Sequence, residues 1–189
     1  MMRRLLIVPA LLAATALGAC GFQPLYARSG SSGVPDELTR VQIGSISDPA
    51  AEQLRSFRRD YPIENDRSRQ ILRNYLSDDL SPQGGKGQRD YVLDVQLIEP
   101  RTNIAIDRSD TTLRYGYTVV AYFQLKTAAG RSLFAGTSSS ATTFAVSQSE
   151  YATIASQRDA RERAMQEISV DIRNQLASYF FTQAHKAPS

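Results

Sequence analysis

Between residues 111 and 127, apolar side chains fall on every second position: Leu113, Tyr115, Tyr117, Val119, Ala121, Phe123 and Leu125, separated by residues such as Arg114, Thr118, Tyr122, Gln124 and Lys126. A period of two sends one set to one face of a strand and the other set to the opposite face. This stretch predicts a long strand that buries one face only. Ala128, Ala129, Gly130 and Arg131 follow, with glycine where a hairpin turn favours positive φ. Residues 132–146 then return as a strand that is less apolar and rich in Ser and Thr from Thr137 to Thr143. That composition predicts an edge, or a face turned to water or to a partner.

Ser147, Gln148, Ser149 and Glu150 have the spacing of a capping box, a hydroxyl followed three residues later by Glu. Behind them Tyr151, Ile154, Ala155, Met165, Ile168, Ile172, Leu176, Tyr179 and Phe180 mark an apolar helical stripe, with Arg158, Arg161, Glu162 and Arg163 mostly off it. At 1.5 Å per residue such a helix runs about 45 Å, close to the length of two paired strands of about 14 residues. Helix and hairpin are matched in length.

Upstream, residues 38–46 alternate Val41, Ile43 and Ile46 with polar neighbours and read as a first strand, stopped by Asp48 and Pro49. Ile71, Leu72, Tyr75, Leu76 and Leu80 lie at helical spacing over residues 65–80, with Asn65 or Asp66 available as the cap. Residues 89–99 read as a second strand with Tyr91, Leu93, Val95 and Leu97 on one face, and residues 101–110 as a loop. The order is strand, helix, strand, strand, strand, helix. Two amphipathic helices need one shared apolar surface, and a sheet with one apolar face supplies it. The expected fold is α+β: a two-layer sandwich in which a four-stranded sheet carries two amphipathic helices on one face.

The N-terminus reads differently. Arg3 and Arg4 precede an apolar run over residues 5–17 with Thr15 its one hydroxyl, and small residues then lead to Cys20, as in a secretory signal peptide. An apolar core of about 13 residues is too short for a spanning helix, which needs about 20. Leu17, Gly18, Ala19 and Cys20 resemble the lipobox of bacterial lipoproteins. That resemblance implies a diacylglycerol thioether on Cys20, removal of residues 1–19, and an N-acyl chain on the new terminus. No other cofactor is expected. Three acyl chains would hold the protein to a membrane almost permanently, since each buried methylene contributes about 0.8 kcal/mol.

Removing residues 1–19 from the 189 leaves 170, enough for one domain with a real core. Residues 20–36, rich in Gly and Ser, read as a lipidated tether with an r.m.s. reach of roughly 22 Å. Residues 37–183 form the single α+β domain, and residues 184–189 a disordered tail. Losing Arg3 and Arg4 takes Lys and Arg from 22 to 20 against 19 Asp and Glu, so the net charge falls to +1 and no basic stripe for nucleic acid remains. Cys20 is the only cysteine, so the fold holds without an internal disulfide.

Catalytic chemistry finds little to work with. The single histidine, His185, lies four residues from the end, which argues against a His-dependent triad or a metal cluster. Asp78 and Asp79 are helix neighbours about 100° apart and read as a solvated face. Gly84, Gly85, Lys86 and Gly87 lack phosphate-loop spacing and precede a strand, so they read as a turn. An enzyme is not expected.

The run Cys20, Gly21, Phe22, Gln23, Pro24, Leu25, Tyr26 is similar to the mature start of the LptE family of lipopolysaccharide-assembly lipoproteins. The helical stretch from Ser68 to Asn74 resembles a segment of the same family, while residues 50–61 look longer than the family pattern and read as an insertion. The resemblance implies an outer-membrane lipoprotein on the periplasmic side. It would plug the LptD-type β-barrel, help it fold and help deliver lipopolysaccharide to the cell surface. Gly21 agrees, because an aspartate there is the usual signal for inner-membrane retention. Lipopolysaccharide carries phosphates, for which Arg offers a planar fork and Lys a point charge. The loop cations Arg101, Arg108, Lys126 and Arg131 are the candidate lipopolysaccharide-binding residues. Two other readings stay open: an auxiliary lipoprotein of an ABC-type lipid transporter, and an enzyme tethered to the envelope.

Overall fold

A computed structural model describes residues 34–49, 64–81, 88–99, 105–108 and 113–186. In chain order its elements are α1 (Val34–Thr39), β1 (Val41–Ser47), α2 (Glu64–Leu80), β2 (Tyr91–Ile98), β3 (Ala105–Arg108), β4 (Leu113–Thr127), β5 (Ser132–Val146) and α3 (Glu150–Lys186). The expected insertion at residues 50–61 and the glycine cluster at 84–87 lie outside the described residues, as does Cys20.

β4 is the centre of the sheet. β5 pairs antiparallel along its whole length, from Leu113↔Val146 to Lys126↔Ser132. Its other edge carries two strands end to end: β2 pairs with residues 120–127, and β3 pairs with Leu113, Arg114 and Tyr115. Both run antiparallel to β4, so β3 resumes the line of β2 after a break. β1 adds to β2 in parallel, with a bulge between Ile43 and Ile46. The result is a four-rank mixed sheet with helices packed against it, as expected. The stretch read as a loop contains the short strand β3, because its residues can extend the β2 ladder on an edge of β4 left unpaired beyond Val120.

The alternation in β4 resolves as read. Val119, Ala121, Phe123 and Leu125 are buried, while Thr118 and Tyr122 face out. From β2, Leu93, Val95 and Leu97 join the same core. In α2, Leu72, Leu76 and Leu80 recur every four residues and are 0–2% exposed. Each such burial contributes about 1.5–3 kcal/mol, so this face alone is enough to fix α2 on the sheet. A third helix joins the expected two: α1 occupies residues assigned to the end of the tether and the start of the first strand. Pro35 is tolerated in a first turn, where an N–H would find no acceptor, and Leu38 enters the core at 8% exposed.

The long helix differs from expectation at both ends. Ser149 is the cap, accepting from Ala152 N–H at 3.4 Å, and the Thr153 hydroxyl takes the Ser147 N–H at 3.1 Å. The Ser147/Glu150 box is therefore not the one used, because Glu150 is already the first helical residue. The helix runs on through His185 to Lys186, giving 37 residues and about 55 Å. Its buried stripe starts at Ala160, not at Tyr151, which is 82% exposed, or Ile154, at 40%. The early turns meet the end of β5 through polar groups, Ser156 Oγ accepting from the Ala145 N–H at 2.9 Å. Arg161 belongs to the stripe, at 6% exposed. Among the described residues, no helix is long and apolar enough to cross a membrane.

β5 does not simply turn its hydroxyls to solvent. Ser138 and Ser140 are buried at 2% and 4% against α3, while Ser139 and Ala141 face out. The Ser140 hydroxyl donates to Glu167 at 2.6 Å and the Thr142 hydroxyl to the Ala160 carbonyl at 3.1 Å. Small polar side chains let the helix backbone come within hydrogen-bonding distance of the sheet. Gly136 continues the same logic: a Cβ there would lie 2.5 Å from the Phe123 ring and 2.7 Å from Gln175 Oε1.

Candidate functional site

The four cations expected to meet lipopolysaccharide do not form one group. Arg101 lies outside the described residues. Arg108 ends β3 opposite Leu113, at one end of β4. Lys126 lies at the other end and Arg131 in the hairpin turn, where Gly130 has φ 85°. Thirteen residues of strand separate Leu113 from Lys126, about 43 Å. No single headgroup bridges the two ends. Arg131 is exposed, and among the described residues its side chain has no ion-pair partner.

Lys126 is already engaged. Its ammonium donates to Asp94 Oδ2 at 2.9 Å, and Asp94 Oδ1 accepts from the Ser45 N–H at 2.9 Å and the Ser45 hydroxyl at 3.0 Å. The Lys126 hydrogen bond holds the Asp94 carboxyl below its ordinary value, against the effect of partial burial, and the Ser45 donors add to it. Ser45 reaches Asp94 from the bulge of β1. Gly44 makes the approach possible, since a Cβ there would lie 2.3 Å from Asp94 Oδ1.

Two features had no clear signal in the sequence. The first is a cleft of about 410 Å³ between α2 and β1, walled by Thr39, Gln42, Ser77, Ser81 and two guanidinium groups, Arg73 and Arg89. Arg73 donates to the carbonyls of Ile43 and Gly44, at 3.5 and 2.9 Å, so it serves the bulge. It sits inside the Ser68–Asn74 stretch, but nothing local says that it reaches a strand 29 residues upstream. The second is a buried polar cluster where β2 ends. Tyr117 OH donates to Glu99 Oε2 at 2.7 Å. Burial, reinforced by the Glu99 carboxylate, pushes the phenol above the ordinary tyrosine range, with Arg161 opposing. Asp79, read as solvated, instead accepts from the Ser169 hydroxyl at 2.6 Å and joins α2 to α3. Among the described residues no three His, Cys, Asp or Glu side chains gather as a metal site would require.

Among the described residues, no helix covers the sheet face opposite α2 and α3. Across β4 and β5 it presents Thr118, Tyr122, Gln124, Thr137, Ser139 and Ala141, hydroxyls, an amide and a methyl in low relief. Tyr122 stands 48% exposed in the middle. Such a surface is suited to packing and hydrogen bonding, not to proton transfer or nucleophilic attack.

A family model described as LptE, lipopolysaccharide-assembly, matches residues 39–176, from the end of α1 to the last core turns of α3. The chain belongs to the LptE family. Its fold agrees with that of a chain from Caulobacter crescentus CB15 assigned as a lipoprotein, at TM-score 0.61 and 23% identity over 84% of this chain and 100% of that one. A minor lipoprotein from Acinetobacter baumannii aligns at TM-score 0.47 and 17% identity, over 62% of this chain and 86% of that one. No curated protein matches the chain. Membership of the LptE family ties this sandwich to lipopolysaccharide assembly.

Proposed function

We propose that the protein is an outer-membrane lipoprotein, anchored on the periplasmic side through acyl chains on Cys20, that plugs an LptD-type β-barrel. It assists folding of the barrel and delivery of lipopolysaccharide to the cell surface, and it is not an enzyme. The observation that carries this reading is the family match over residues 39–176, which takes in α2, most of α3 and the whole described sheet. The lumen of a large transmembrane barrel is polar, so its occupant must offer hydrogen-bonding surface, and the bare sheet face does so.

Arg101, Arg108, Lys126 and Arg131 remain the candidate phosphate contacts, with Arg108 and Lys126 at opposite ends of β4 instead of in one cradle. At the turn, Arg131 is the exposed donor, and a phosphate at Lys126 competes with Asp94.

The test is capture of the tagged, lipidated chain from native outer membranes in detergent, with a high-salt wash and mass spectrometry of what stays bound. A single stoichiometric β-barrel partner is the expected result. Recovery of inner-membrane transporter subunits, or of no partner, overturns the reading.

A further inference from the structure

We infer that the bare sheet face across β4 and β5 is the surface that packs on the inner wall of the barrel, sheet against sheet, with the helices turned toward the lumen. This rests on the barrel reading above and says which side of the domain docks. The first ground is charge. Between Arg114 and Lys126 the outward positions of β4 carry no ion, and the outward positions of β5 from Ala135 to Ala145 are Ala, Thr and Ser. Helix α3, by contrast, exposes charged side chains along its length: Arg158, Asp159, Glu162 and Asp171. Interface cores are depleted of charge, because ions stripped of water must be matched one for one. The sheet face enters a polar, uncharged contact without that cost.

The second ground is shape and area. Ala, Ser and Thr on an edge strand let another sheet approach to the usual spacing of about 10 Å. The two strands of 15 residues present about 500 Å². A stable interface takes about 800 Å² from each partner, so this face supplies more than half of it.

The third ground removes the competing strand-addition mode. The outward backbone groups of β5 are partly taken by α3: Gln175 donates to the Thr137 carbonyl at 3.0 Å, Arg163 to the Thr143 carbonyl at 3.2 Å, and Ser156 Oγ accepts from Ala145 N–H at 2.9 Å. An edge guarded in this way resists addition of a partner strand. The face remains.

The experiment uses the full lipidated chain in native outer membranes. It compares the wild type with Thr118→Glu/Ser139→Glu on the sheet face and Gln166→Glu/Asn174→Glu on α3. In parallel, a photo-crosslinking amino acid is placed at Ser139 or at Asn174. Thermal melts of the purified variants report folding, and the crosslinks decide the matter should the sheet-face variant fail to fold. The expected result is a tenfold or greater loss of barrel capture in the sheet-face variant alone, with barrel crosslinks from Ser139 and none from Asn174. Undiminished capture by a folded sheet-face variant, crosslinks from Asn174 only, or crosslinks from Ser139 to a second copy of the chain overturn the inference while the barrel reading stands. If the wild type captures no barrel, the reading itself fails and the inference with it.

Discussion

Lys126 Nζ lies 2.9 Å from Asp94 Oδ2 across the β2–β4 ladder, while the other oxygen of Asp94 holds Ser45 of the β1 bulge. One carboxylate thus ties three strands on the face away from the helices. Its folded pKa is depressed, so the stability it contributes is complete above the unfolded value of about 3.9 and is lost as pH falls through the lower folded value. Asp94→Asn should cost about 1–2 kcal/mol at pH 7, and that cost should shrink toward zero below the carboxylate range. Urea melts at several pH values check this; a cost that stays constant down to strongly acid pH would count against the assignment.

Gly136 faces the Phe123 ring on the core side of an edge strand. Gly136→Ala should destabilise by about 1–3 kcal/mol through overpacking. Trimming the ring as well, with Phe123→Leu, should make the two changes non-additive in a double-mutant cycle. Additive costs would mean that the ring does not cover the glycine.

The N-terminal end of the apolar pattern on α3 should behave differently from the core of α2. Leu76→Ala, at a position 0% exposed, should cost about 2–5 kcal/mol. Tyr151→Ala, at 82% exposed, should change stability by no more than about 0.5 kcal/mol. Comparable losses at both sites would place Tyr151 in the core after all.

Alternate residues of β5 should respond in opposite ways to the same substitution. Ser140→Leu meets α3 and should cost about 1–3 kcal/mol by overpacking, whereas Ser139→Leu points to the bare face and should be tolerated. Denaturation midpoints of the two purified variants decide it, and the reverse order would shift the register by one residue.

What could be read from the chain depended on whether the deciding partner was local. The period of two in β4 and the four-residue recurrence of Leu72, Leu76 and Leu80 state their faces outright, and both are observed. Serines at alternating positions look alike whether they meet water or a closely packed helix, so the inward turn of Ser138 and Ser140 was not legible. Asp79 finds Ser169 90 residues away, and Arg161 is buried toward Tyr117 of a distant strand, so neither partner is signalled by its neighbours. The candidate cations flank turns that look equivalent in sequence, yet the antiparallel ladder sends Arg108 and Lys126 to opposite ends.

The most direct measurement of the central claim is lipopolysaccharide on the cell surface after depletion of the protein, restored or not by the wild-type chain. The account predicts that surface lipopolysaccharide falls as the protein is depleted, that newly made material accumulates inside, and that the wild type restores export. Unchanged surface lipopolysaccharide in cells that lack the protein would contradict it.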